Sequence, residues 1–401
     1  MLGFDAYATD WLDLVLRWFH VIAAIVWIGT SFYFVALDNY LLPPAEDRDR
    51  ERGVGGEAWE IHGGGFYRIE KFTVAPAELP APLHWFKWEA YWTWLSGFGL
   101  MVVLYYLNAN TFLIDPSVAD LSVWEAVLLS LGGLALAWVV YDALCRLLRE
   151  RDVILAVAIF GLVVLAAWGT EQLFSAHAAW LEVGAMLGTI MAANVLFNII
   201  PAHRELVRAK EAGRDPDPQP GIEAKRRSVH NNYLTLPVLL AMLSAHFAFL
   251  YGHSYAWLLL VGLMAIGAWV RHYFNLRHRG RTVWIIPVTA ALALAGIAVA
   301  IRPSNGGSAR PGAAAVPFAE VEQIVAARCA PCHSQSPTYQ GFTAPPLGIA
   351  FDTPEEIKAR AQDIRAQAVD SQTMPLGNVT HMTPAERGRL GLWIEQGARI
   401  P

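Results

Sequence analysis

The chain has 401 residues, of which 55% are hydrophobic and only 16% charged, with a formal net charge of −5. A soluble domain is about a quarter charged, so the apolar excess must be concentrated in particular segments, and the acidic balance argues against nucleic acid as a partner. Of the three cysteines, two lie in one short motif and Cys145 stands alone, which excludes a disulfide scaffold.

Taken in chain order, eight apolar stretches run over approximately 12–37, 86–109, 122–146, 153–174, 178–200, 232–251, 255–276 and 282–301. Each is about long enough to cross a hydrocarbon core of roughly 30 Å. The pattern predicts an all-α, eight-span transmembrane helical bundle over 1–301. The opening MLGFDAYATD has no basic region ahead of the first apolar run, so that span is expected to stay as an anchor. Lys and Arg crowd the connections after the first, third, fifth and seventh spans. The connections near 110–121, 175–177 and 252–254 contain none. The positive-inside rule then puts the basic loops in the cytoplasm and both termini outside. The sixteen Trp suit interfacial belts, and HWFKWEAYWTW at 84–94 reads as one.

Residues 302–317 (RPSNGGSARPGAAAVP) read as a flexible linker, and 318–401 as a soluble domain. There C-A-P-C-H at 329–333 matches the C-x-x-C-H signature of covalent c-type haem attachment. Cys329 and Cys332 would form the thioethers, and His333 would ligate the iron. A zinc or redox C-x-x-C is the alternative, but a second metal-binding pair is missing. The spacing of Val321, Ile324 and Val325 predicts an entry helix before the motif. Met374 in Q-T-M-P-L-G is the expected sixth ligand. Met382 is disfavoured because Thr383 caps a helix starting at Pro384. His/Met ligation raises the reduction potential. Residues 318–401 therefore read as a periplasmic cytochrome c domain.

A single haem anchor needs one span, so eight imply another task. Intramembrane polar residues are the pointers. Near the outer face lie His20 and His246, a candidate electron relay or bis-imidazole site for a second, b-type haem, flanked by Glu171, His177, Glu182 and His253. Near the cytoplasmic face lie His62, Arg68, Lys71, His84, Lys87 and Glu89, then Asn194, Asn198 and His203, then His230, Asn231 and Asn232, and finally Arg271, His272 and Asn275. Together such groups suit a small planar anion, although a single Lys or Arg is more often a snorkelling anchor. His84, His230, His272, Arg271 and Glu89 are the catalytic candidates. H-G-G-G at 62–65 resembles an oxyanion-hole loop, but no G-x-S-x-G follows. Cys145 reads as an inert buried thiol.

RWFHVIAAIVWIGTSFYF, HWFKWEAYWTWLSGFG and CAPCHSQSPTYQGFTAPPLG…TMPLGN together resemble the membrane-bound urate hydroxylases, or cytochrome c urate oxidases, over essentially the whole chain. The resemblance implies oxidation of urate to 5-hydroxyisourate in a bacterial inner membrane. Electrons would pass to the c haem and on to a soluble cytochrome c or terminal oxidase, without hydrogen peroxide. It gives no map of substrate contacts, which rest on the reading above. Two rivals stand beside it: a membrane oxidase like the protoporphyrinogen oxidases, which share the R-x-x-H…W-I-G pattern of the first span, and a non-catalytic quinol-linked cytochrome.

Overall fold

The structure, a computed structural model, describes residues 6–302, 314–339 and 342–401. It is mostly helical. The first helix, α1 (Ala6–Tyr40), leads into the short α2 (Asp47–Glu51) and a hairpin of β1 (Val54–His62) and β2 (Gly65–Phe72). The expectation of an all-α chain is corrected here. H-G-G-G is the hairpin turn: Gly63 and Gly64 have φ of 57° and 84°, and His62 pairs with Gly65. Positive φ at both central residues fits the twist of the strands, which is why two glycines stand there.

The bundle continues with α3 (Trp88–Leu100), carried on by a π turn at Met101–Tyr106, and the short α4 (Ala109–Phe112). Next come α5 (Val123–Leu147), α6 (Asp152–Glu171) and α7 (Ala176–Asn194). A π turn at Val195–Ile199 joins α7 to α8 (Ile200–Glu211) without a break. Then follow α9 (Pro218–Leu243), the short α10 (Ala248–Tyr251), α11 (Ala256–His278) and α12 (Ile285–Ala300). Caps set several starts. Ser122 and Glu125 form a capping box before α5, and the Asp217 side chain accepts from Gln219 N at the start of α9. That cap, with Pro218 as first helical residue, begins the sixth long helix well before the expected 232, so Lys225, Arg226 and Arg227 are helical rather than loop residues.

Five helices are long and apolar enough to cross a membrane: Trp11–Tyr40, Val123–Leu147, Asp152–Glu171, Ala176–Glu211 and Ala256–His278. The other expected spans lie in α3 with its π turn, the apolar half of α9, and α12. Large apolar side chains such as Leu128, Leu136, Val157, Leu165 and Leu292 point outward, which is the composition of a lipid-facing surface. Inward, Tyr141, Trp180, Leu187, Ile190, Ala241 and Leu260 form the core of the bundle.

The C-terminal unit holds α13 (Phe318–Arg328), α14 (Pro354–Ala359), α15 (Ala361–Ile364) and α16 (Pro384–Glu395). Val321, Ile324 and Val325 are buried on α13, and Thr383 caps α16 in a capping box with Glu386. Both features follow the sequence pattern. Residues 303–313 of the proposed linker lie outside the described residues. Its end does not hang free: Val316 is buried, and its amide donates to Gln396 Oε1 at 2.9 Å. The unit rests on the bundle at α4. A Cβ on Gly377 would meet Ile114 O at 2.7 Å and Thr111 O at 3.3 Å.

Candidate functional site

Two cavities open near the chain segments rich in polar residues. The larger, about 250 Å³, is lined by Trp27, Thr30, Ser31 and Phe34 of α1, by Phe86, by Met191, Val195, Ile199 and His203 along α7–α8, and by Ser228, Asn231 and Thr235 of α9. Ligand pockets run from about 300 Å³ upward for drug-sized molecules, so this cavity suits a smaller one. The π turn at Val195–Ile199 adds a residue per turn there and brings Val195, Ile199 and His203 onto one wall. Such bulges recur at functional sites. The smaller cavity, about 70 Å³, is lined by Asp38, Asn39, Lys225, Ser228, Tyr233, His272, Asn275 and Arg279, among others.

A hydrogen-bonded network backs the larger cavity. Asn231, on its wall, donates to Met191 O (3.0 Å) and accepts from Asn194 Nδ2 (2.9 Å). Asn194 Nδ2 also donates to the Tyr141 hydroxyl (2.9 Å), which lies 2.9 Å from His230 Nδ1. Arg227 donates to Asn194 Oδ1 (3.3 Å) and Asp142 Oδ1 (2.7 Å), with its guanidinium over the Tyr141 ring. His230 therefore stands behind the chamber rather than on its wall, with Cys145 Sγ 3.9 Å from its Nδ1.

The other catalytic candidates separate. His84 is exposed and packs edge-on at 4.7 Å against Phe86, which does line the cavity. Glu89 is half-buried, and its Oε2 has no hydrogen-bond partner. His272 lines the smaller cavity, stacked on Trp269 (5.5 Å) and hydrogen-bonded to the Tyr233 hydroxyl (2.7 Å). Arg271 is buried; its Nε donates to Asn232 Oδ1 (2.8 Å), which also accepts from Asn275 Nδ2 (3.1 Å). Arg68 and Lys71 belong to the hairpin instead. Arg68 pairs with Asp49 and with Glu57 (2.7 Å), holding both carboxyls below the usual carboxylate range, and Lys71 pairs with Asp38.

Two turns before Trp27 on α1, His20 Nδ1 donates to Thr93 O (3.0 Å), and its Nε2 has no hydrogen bond among the described residues. Gly97 makes room for the ring, since a Cβ there would lie 2.8 Å from His20 Cε1. His246 is exposed on the turn Ser244–His246, and no ring contact or hydrogen bond joins it to His20 among the described residues. His177 is stacked on Tyr105 (5.7 Å) and edge-on to Tyr251 (5.4 Å).

In the C-terminal unit, His333 Nδ1 donates to Ile349 O at 2.9 Å, and Phe351 packs 5.3 Å from its ring. Met374 and Cys329 both pack against the core cluster of this unit. Its carbonyl accepts from Arg387 Nη1 (2.6 Å), and its amide donates to Gln367 O (3.0 Å). Met382 is instead buried in that core. No three His, Cys, Asp or Glu side chains converge as a metal site among the described residues, but a haem iron held by one His and one Met does not call for such a cluster.

Sequence reasoning missed Trp27, Ser31, Phe34, Tyr141, Asp142 and Tyr233. Asp142 was legible, as a carboxylate inside the apolar run WVVYDALC. Trp27 and Phe34 of the first span line the larger cavity, and the apolar pattern of that span does not mark them apart from its other aromatics.

Searches of curated proteins and of solved structures returned no match. The urate oxidase N-terminal family matches residues 6–302, the stretch that holds both cavities and their supporting network, and the chain belongs to that family.

Proposed function

We propose that the protein oxidises urate to 5-hydroxyisourate in the larger cavity and delivers the electrons to its own C-terminal unit, with no hydrogen peroxide formed. The observation that carries this reading is the lining of that chamber within the family's matched residues. Trp27, Phe34 and Phe86 offer flat apolar faces, while Ser31, Thr30, Asn231, Thr235 and His203 supply hydrogen-bonding groups. A planar purine needs both kinds of contact.

Urate monoanion and one water give 5-hydroxyisourate, one proton and two electrons. His203 is the imidazole on the wall and is suited to take that proton. Asn231, fixed by Asn194 and Met191 O, orients the ring by its amide. His230 and Tyr141 hold that amide network in place from behind.

The C-terminal residues fit a c haem. Cys329 and Cys332 are free thiols in the attachment spacing. His333 spends Nδ1 on a carbonyl and so presents Nε2, the arrangement that fixes the tautomer of an iron ligand. Arg387 holds the Met374 carbonyl, and Met374 packs against the same core cluster as Cys329. A haem bound there accepts electrons one at a time.

We read the bundle as eight spans in a bacterial inner membrane, adding α3, α9 and α12 to the five long apolar helices, with the basic connections cytoplasmic. The C-terminal unit rests on α4, in a connection free of Lys and Arg, as expected of a periplasmic domain. A soluble cytochrome c or terminal oxidase is the onward acceptor. His20, whose Nε2 has no hydrogen bond among the described residues, is the residue to watch for a second, b-type haem. Anaerobic mixing of urate with the purified protein tests the proposal. The c-haem absorption should shift to the reduced form; a haem that stays oxidised would refute it.

A further inference from the structure

Two arginines are buried in the bundle, and the fold treats them differently. Arg227, 3% exposed, pairs with Asp142 at 2.7 Å. Arg271, 4% exposed, has no carboxylate partner among the described residues. Its Nε reaches only the Asn232 amide oxygen, and its guanidinium carbon lies 3.9 Å from the centre of the Phe32 ring. Three polar atoms of this small cluster are buried without a partner: Arg271 Nη2, Asn232 Nδ2 and Asn275 Oδ1. A buried cation without a counter-charge is costly, and so is each unsatisfied group. Such a concentration in one place calls for an explanation.

We propose that Arg271, Asn232 and Asn275 recognise the anionic edge of a planar organic anion. Their open positions are a charged donor, an amide donor and an amide acceptor. An alternating ring N–H and carbonyl edge carrying one negative charge satisfies all three, and the charge-assisted contact is the strong one. The cluster reaches the smaller cavity through Asn275, and Ser228, one turn before Asn232 on α9, lines both that cavity and the larger one. This rests on the reading that the chamber holds urate; the cluster then supplies the selectivity for the monoanion over neutral purines.

The test uses the detergent-solubilised holoprotein reduced with dithionite, so that binding is measured without turnover. Urate and the neutral purine hypoxanthine are titrated into wild type, Arg271→Gln and Asn275→Asp. The second substitution puts a carboxylate one turn from Arg271 on α11, where it supplies a counter-charge for the buried cation, and the melting temperature of each variant reports whether the fold is kept. Both variants should bind urate roughly 10- to 100-fold more weakly, the range expected for losing a charged hydrogen-bond partner. Hypoxanthine affinity should change by less than about threefold. Urate affinity within about threefold of wild type in both variants would overturn the proposal, as would an Asn275→Asp protein that melts higher but binds urate normally, because the cluster would then be a structural tie. Those outcomes leave the urate reading standing, whereas wild type that fails to bind urate at all overturns that reading and this proposal with it.

Discussion

Asp142 and Arg387 each hold a buried or strained neighbour in place, by different means. Asp142 sits in an apolar helix and neutralises Arg227. Replacing it with Ala leaves that guanidinium buried without a counter-charge, which should cost about 3 kcal/mol. Unfolding in mixed micelles measures it, and a change below about 0.5 kcal/mol would show that water reaches Arg227. Arg387 is buried and ties together Ala368 O, Met374 O and Asn378 Oδ1. With Arg387→Met the loop bearing Met374 loses its clamp. On the proposed function, the protein should keep a covalent c haem and lose the charge-transfer band of thioether-ligated ferric haem. Retention of that band would mean Met374 is held by its backbone bond to Gln367 alone, or is not the ligand.

Among the elements, the contact of α1 with α3 depends on an absent side chain. Gly97 leaves the space that the His20 ring fills. Gly97→Ala should push that ring off Thr93 O and cost about 1–3 kcal/mol by overpacking, read as a lower unfolding midpoint. The hairpin makes a pH prediction. Arg68 depresses the carboxyls of Asp49 and Glu57, so this contribution to stability is complete above about pH 5. It is lost as pH falls below the ordinary carboxylate values of roughly 4 toward the depressed ones. Hydrogen exchange of the β1 and β2 amides should accelerate in that acid window and stay flat from pH 6 to 8. The hairpin itself was not legible as an element: VGGEAWEIHGGGFYRIEKF is short and glycine-rich, and its cations resembled a binding cluster. The caps were legible in part. Thr383–Pro384 announced α16, whereas Asp217–Pro218 announced α9 within a stretch whose charges suggested a loop. The cavity wall was the least legible, because it depends on which face of α1 turns inward and on a π turn that rotates Ile199 and His203. Neither has a periodic sequence signature.

At the scale of the whole molecule, the proposed function needs the C-terminal unit docked on the bundle to take electrons from the substrate cavity. Gly377 is the docking point, with φ of 54° and Ile114 O where a Cβ would go. On the proposed function, Gly377→Val should leave the content of the proposed haem unchanged and slow its reduction by urate at least about tenfold, since misplacement by an ångström or so is costly to rate. An unchanged rate would mean that the observed docking is not the transfer geometry. The central claim is that oxygen takes no direct part in urate oxidation. It is tested most directly by strictly anaerobic turnover of the purified protein with excess ferric cytochrome c, measuring 5-hydroxyisourate, reduced cytochrome and peroxide together. Two cytochromes should be reduced for each 5-hydroxyisourate formed, with no peroxide; product that forms only when oxygen is admitted, accompanied by an equal amount of hydrogen peroxide, would show that oxygen is the direct oxidant.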